Sequence, residues 1–179
     1  MHSSMVVSAL PFGPSVLKHV LTRALAPVLL LSAGACRHET DAAAVDAALF
    51  REAPAEGSIY YSGTPGITLP DDASPHGPFR VRFNSIAQTA LDTTGRLPVD
   101  GEFQAGSVIV KDLYEGTSVH QYAVMKKDPD APLAGSGWLW AELAPDGAVI
   151  FSASRRGDGC IPCHSQGLSR DLVRVFDLH

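Results

Sequence analysis

The chain has 179 residues, 45% of them hydrophobic, and a formal net charge of −5. That is enough material for one domain with a substantial core. The mild acidity and the absence of any lysine- or arginine-rich run argue against nucleic acid as a partner.

In chain order, the first feature is a targeting segment. Lys18 and Arg23 precede the apolar run ALAPVLLLSAGAC, which ends at Cys36. The run is too short to cross a bilayer well and closes on Ala33-Gly34-Ala35, so residues 1–35 read as a cleaved signal peptide. The same residues resemble a lipoprotein box in which Ala33 replaces the usual leucine, and in that version Cys36 is a lipid anchor. Residues 36–53 contain a helix from Thr40 to Arg51, capped by Thr40 or Asp41 and ended by Pro54. Residues 54–78 are rich in Gly, Pro, Ser and Asp and read as a long loop.

From residue 79 to residue 179 strand patterns dominate. FRVRF alternates, with Phe79, Val81 and Phe83 on one face and Arg80 and Arg82 on the other. SIAQTALDT suggests a short helix. GSVIVKDLY, HQYAVMKKD, GWLWAEL and GAVIFSA follow as strands, the last two joined by the turn residues Pro145-Asp146-Gly147. The expected fold is mainly β (α+β): an antiparallel β-sheet with a few short helices in a single domain.

That domain takes its chemistry from Cys160-Ile161-Pro162-Cys163-His164, a C-x-x-C-H motif of the type that attaches haem c. Two thiols three positions apart on one turn can each reach a vinyl group of one porphyrin, and the next histidine can bind its iron. Zinc is a poor alternative. A closed site needs four ligands, and the only other cysteine is Cys36. A thioredoxin-type dithiol normally opens a βαβ domain, whereas only 15 residues follow His164. A structural disulfide between Cys160 and Cys163 is the remaining alternative. The expected cofactor is therefore one covalent haem c, with Cys160 and Cys163 as anchors and His164 as the metal ligand. No methionine follows His164, which leaves the sixth position open.

A second feature is Lys111. Strand periodicity puts it on one face with Ile109 and Leu113, and Val108, Val110 and Asp112 on the other. A lysine at a strand end commonly snorkels to water, whereas burial would depress its pKa and make a nucleophilic amine.

GEFQAGSVIVKDLY, YAVMKKD, GSGWLW, CIPCH and RDLVRVF, taken in order, resemble the cytochrome P-460 family over residues 79–176. The resemblance implies a periplasmic haem protein with an antiparallel β fold, usually a homodimer. It implies a lysine crosslinked to the porphyrin, which falls on Lys111, and an arginine of the preceding strand, which falls on Arg82, both carried over as catalytic. It implies hydroxylamine or a related small nitrogen compound as substrate, with a cytochrome as redox partner. The family's enzymes carry an acidic residue where this chain has Ala123, which cannot take a proton. Relatives called cytochrome c′-beta lack the crosslink, have an apolar distal cap and bind nitric oxide and similar gases.

His120, Glu115 or Glu142 could replace the missing base, although each also reads as a solvated surface residue. Trp138 and Trp140 share a face and read as core, with one of them free to line the haem edge. Arg155 and Arg156 read as a solvated turn or as partners of the haem propionates. Met125 reads as core, or as a sixth ligand in an electron carrier. Three functions therefore compete: oxidation of a small nitrogen compound, gas binding without turnover, and electron transfer.

Overall fold

The computed structural model describes residues 41–54, 58–63, 65–69 and 76–178, all within one compact unit, Arg37–His179. The expected signal segment 1–35 and Cys36 lie outside the described residues. No helix among the described residues is long and apolar enough to cross a membrane.

The first helix, α1, runs Ala42–Glu52, and Asp41 caps it by accepting from the Ala43 amide at 3.0 Å. Six strands then form one sheet: β1 Ile59–Tyr60, β2 Phe79–Phe83, β3 Val108–Glu115, β4 Ser118–Lys127, β5 Trp138–Leu143 and β6 Val149–Phe151. Their spatial order is β1-β2-β3-β4-β5-β6, so every strand pairs antiparallel with its neighbour in sequence. Asn84 caps the single-turn helix α2 (Ser85–Gln88) by accepting from the Ala87 amide. The expected β5–β6 turn is present, with Ala144 N–H donating to the Ala148 carbonyl at 2.8 Å and Gly147 at φ 88°.

One expectation fails at the sheet edge. Residues 54–78 are not loop throughout, because Ile59 and Tyr60 pair with Phe83 and Arg82 as β1. A two-residue strand is too short to show alternation. It forms because the backbone groups of β2 need partners on that side.

The sheet buries both faces. One carries Phe79, Val81, Phe83, Ile109, Leu113, Met125, Trp138, Trp140 and Phe151, packed with Val173 and Phe176 from the C-terminal segment. The other carries Val108, Val110, Val124, Leu139, Ala141 and Leu143 under Leu49 and Ala53 at α1. Two covered faces explain why both arginines of FRVRF fall on a packed face although the strand alternates. Asp112 is 1% exposed and accepts from Arg80 Nη2 at 2.7 Å and Arg82 Nη2 at 2.6 Å, while Arg82 also donates to the Ala53 carbonyl and Ser58 Oγ. This charge cluster ties β2 and β3 to the end of α1.

Candidate functional site

The CIPCH segment reaches the sheet through a sequence of sharp turns. A 3-10 turn, Ala153–Arg155, follows β6 and is held by the buried Asp46 of α1, which accepts from the Ala153 amide at 2.7 Å. Arg156 at φ 50°, Gly157 at φ 73° and Gly159 at φ 88° then reverse the chain. At Gly157 a Cβ would stand 2.7 Å from the Trp140 ring, so the backbone lies directly on that side chain. Helix α3, Ile161–His164, is one turn long, with Pro162 in its opening positions where its missing N–H costs nothing. Cys160 precedes this turn and Cys163 lies within it, both as free, half-buried thiols. Burial raises the Cys160 thiol pKa above its ordinary value.

His164 is held in one orientation. Its Nδ1 lies 2.7 Å from the Leu172 carbonyl oxygen, and its ring meets Trp140 edge-to-face at 5.0 Å. A carbonyl only accepts, so Nδ1 carries the proton and Nε2 keeps its lone pair. Burial is the main cause of a lowered His164 pKa, with Lys111 and Arg174 acting the same way.

Above this motif lies a cavity of about 640 Å³. One transverse row of the sheet, Val81–Lys111–Ala123–Glu142–Phe151, forms part of its wall, one residue from each of β2 to β6. Lys111 Nζ stands 3.9 Å from the centre of the Phe79 ring. Glu142 is half-buried, and burial pushes its carboxyl pKa up against the opposing effects of a Gln121 hydrogen bond and of Arg155. His76, from the segment before β2, lines the same cavity, and burial first, then the neighbouring Lys111 and His164, lower it to about 4.

The structure thus brings Lys111, Cys160, Cys163 and His164 to one cavity and leaves Arg82 out. The resemblance carried Arg82 over as catalytic together with Lys111, but it lies one residue out of phase with that lysine. Its cross-strand partner is Val110, so its side chain points to the opposite face, toward Asp112 and Ala53. Of the substitute bases, Glu142 lines the cavity half-buried, His120 lines it exposed, and Glu115 is exposed and absent from its wall. Trp140 and Met125 line it, while Trp138 is core at 0% exposure. Arg155 reaches the wall but Arg156 does not.

His76 and Arg174 are among the wall residues that escaped the sequence reading. His76 sits in an aperiodic segment where nothing marks a direction. Arg174 lies in the C-terminal segment; its Nη1 donates to the Cys163 carbonyl at 2.8 Å, and its buried Nε has no hydrogen-bond partner. A signal for Arg174 did exist, since the basic residue interrupts the otherwise apolar LVRVF.

Among the described residues, no three His, Cys, Asp or Glu side chains gather to hold a metal ion. No family model matches the chain, and no curated protein matches it.

Proposed function

We propose that the chain is an exported c-type haem protein resembling cytochrome P-460, which oxidises hydroxylamine or a related small nitrogen compound at an open-site haem. The observation that carries this is the meeting of CIPCH and Lys111 at one cavity wall, with the His164 Nδ1 proton already committed to a carbonyl.

The residues present fit the group. Histidines that bind metals through one ring nitrogen commonly donate the other N–H to a carbonyl or carboxylate, as His164 does. The cavity lies within the usual range of about 300–1,000 Å³ for small-molecule and cofactor sites. Cys160 and Cys163 would hold the porphyrin, and His164 would bind its iron through Nε2. The unpartnered Nε of Arg174 and the guanidinium of Arg155 offer donors to its carboxylates. When bound, the haem supplies a redox-active iron with one position open to a small nitrogen ligand. Lys111 lines the same cavity as the two cysteine anchors, which supports the crosslink the resemblance implies.

Oxidation of an N–H or O–H substrate also releases protons. Ala123 cannot accept one, but its cross-strand neighbour Glu142 can. Burial raises the affinity of that carboxylate for a proton, as suits a general base. The proposal extends to a homodimer in the periplasm, soluble or anchored at Cys36, that passes electrons to a cytochrome. A second reading, nitric oxide binding without turnover, draws support from the apolar members of the row, Val81, Ala123 and Phe151.

The test is expression in a host able to mature cytochromes c, followed by haem staining of denaturing gels, ferrous spectroscopy and peptide mapping. The expected result is covalent haem that binds carbon monoxide, absorbs to the red of ordinary haem c, and yields one haem peptide containing Lys111, Cys160 and Cys163. An ordinary haem c spectrum with nitric oxide binding and no turnover supports the second reading. A low-spin six-coordinate ferrous form that disappears in Met125→Ala would replace both by electron transfer. Absence of haem would end all three.

A further inference from the structure

Asp171 and Leu172 are consecutive non-glycine residues with positive φ, 48° and 67°. They form the centre of a turn closed by the Val173 amide on the Arg170 carbonyl at 2.9 Å. Turns with two left-handed central residues favour Gly, Asn and Asp, and leucine is poorly suited to the second position. Something outside the turn must therefore hold it.

Three donor groups converge on the Asp171 carboxylate. Lys127 Nζ reaches its two oxygens at 2.7 and 2.8 Å, Trp138 Nε1 reaches Oδ1 at 3.1 Å, and the Phe103 amide reaches Oδ2 at 2.8 Å. Lys127 and Trp138 are cross-strand partners on β4 and β5, and Trp138 is fully buried. The turn is thus pinned to the adjoining ends of β4 and β5 by an ion pair, and the Trp138 and Phe103 N–H groups add hydrogen bonds to the same carboxylate. The next residue in the turn, Leu172, supplies the carbonyl that accepts the His164 Nδ1 proton.

We infer that Asp171 is a positioning residue for His164: by fixing an unfavourable turn to Lys127 and Trp138, it holds the Leu172 carbonyl on the imidazole. Its consequence at the iron rests on the haem reading given above. A carbonyl acceptor on Nδ1–H raises the basicity of Nε2, and a more basic ligand favours the oxidised metal. Without the clamp the turn relaxes toward negative φ, and the carbonyl leaves the ring.

The experiment is Asp171→Asn in the haem-loaded protein, with Lys127→Met as a second variant that unpins the turn from another strand. Both should shift the ferric/ferrous midpoint potential upward and lower the iron–imidazole stretching frequency of the ferrous form. Lost stability alone would not move either reading. If one variant does not fold, the other decides. Wild-type potential and frequency in a folded variant would overturn the inference. A haem-free wild type would end the haem reading but leave the clamp testable. Nitrogen-15 NMR should then show His164 protonated at Nδ1 in the wild type and as a mixture of tautomers in Asp171→Asn, and an unchanged tautomer would overturn the inference.

Discussion

Lys111 and Glu142 stand in one transverse row of the sheet, two strands apart, with only the methyl group of Ala123 between them. Adjacent strands are about 4.8 Å apart, which puts the two backbones roughly 10 Å apart. A large side chain at Ala123 would fill this gap. Alanine leaves it open to the cavity, between Lys111, whose Nζ lies over the Phe79 ring, and the half-buried carboxyl of Glu142.

Glu142→Gln tests the carboxyl directly. If Glu142 accepts the substrate proton, turnover should fall by about 10²-fold or more, the usual contribution of a positioned base. In the wild type the rate should rise with pH through the raised Glu142 pKa, and in Glu142→Gln this limb should be absent. Ala123→Glu added to Glu142→Gln should recover part of the rate. An unchanged pH profile would assign the proton elsewhere. The sign for stability also follows. A carboxyl whose folded pKa is raised contributes stability that is present below the unfolded value and lost as pH rises through the folded one. Glu142→Gln should therefore stabilise the fold at neutral pH, as measured by urea denaturation.

His76 predicts the opposite pH dependence. Its pKa falls from 6.5 to about 4 on folding, so between those values the unfolded chain binds the proton more readily. Stability from neutral His76 is complete above pH 6.5 and is lost as pH falls toward 4. The loss should reach about 2 kcal/mol after allowance for partial exposure. In haem-free chain carrying Cys160→Ala and Cys163→Ala, His76→Gln should flatten this acid limb in denaturation curves taken at several pH values.

Arg82 should behave as a structural residue. Arg82→Met leaves the buried Asp112 carboxylate with Arg80 as its only salt-bridge partner among the described residues. Breaking a buried pair from one side costs on the order of 3 kcal/mol, which chemical denaturation would detect. Carbon monoxide affinity and the ferrous spectrum should not change, because Arg82 lies on the face away from the cavity. A large change in either would restore it to the site.

Gly157→Ala should destabilise the approach to the CIPCH segment. The residue sits at φ 73°, and an added Cβ would lie 2.7 Å from Trp140. Left-handed backbone and steric overlap together should cost roughly 2–4 kcal/mol. Because Trp140 supports the His164 ring, haem incorporation should fall as well. Thermal melting and the haem-to-protein absorbance ratio would read the two effects separately.

Local chemistry was legible in the sequence. Five of the six strands follow from alternating or short continuous apolar runs bounded by turn residues, the Asp41 cap and the Pro145-Asp146-Gly147 turn follow from side-chain type, and the CIPCH turn follows from its spacing. Periodicity also put Lys111 on the face of Ile109 and Leu113, because the strand period of two leaves no choice once the strand is given. What periodicity cannot state is what covers each face. Only the packed structure sets the end of α1 against Arg82 and lines one cavity with both Lys111 and the C-terminal segment, and so separates two residues that the family resemblance had grouped. Register decided Glu142 in the same way: it becomes the neighbour of Ala123 only because β4 and β5 pair with that offset. Arg174 left a trace as the basic residue in LVRVF, whereas His76 and the Asp171 clamp depended wholly on tertiary structure, since their significance comes from partners distant in sequence whose approach no local pattern records.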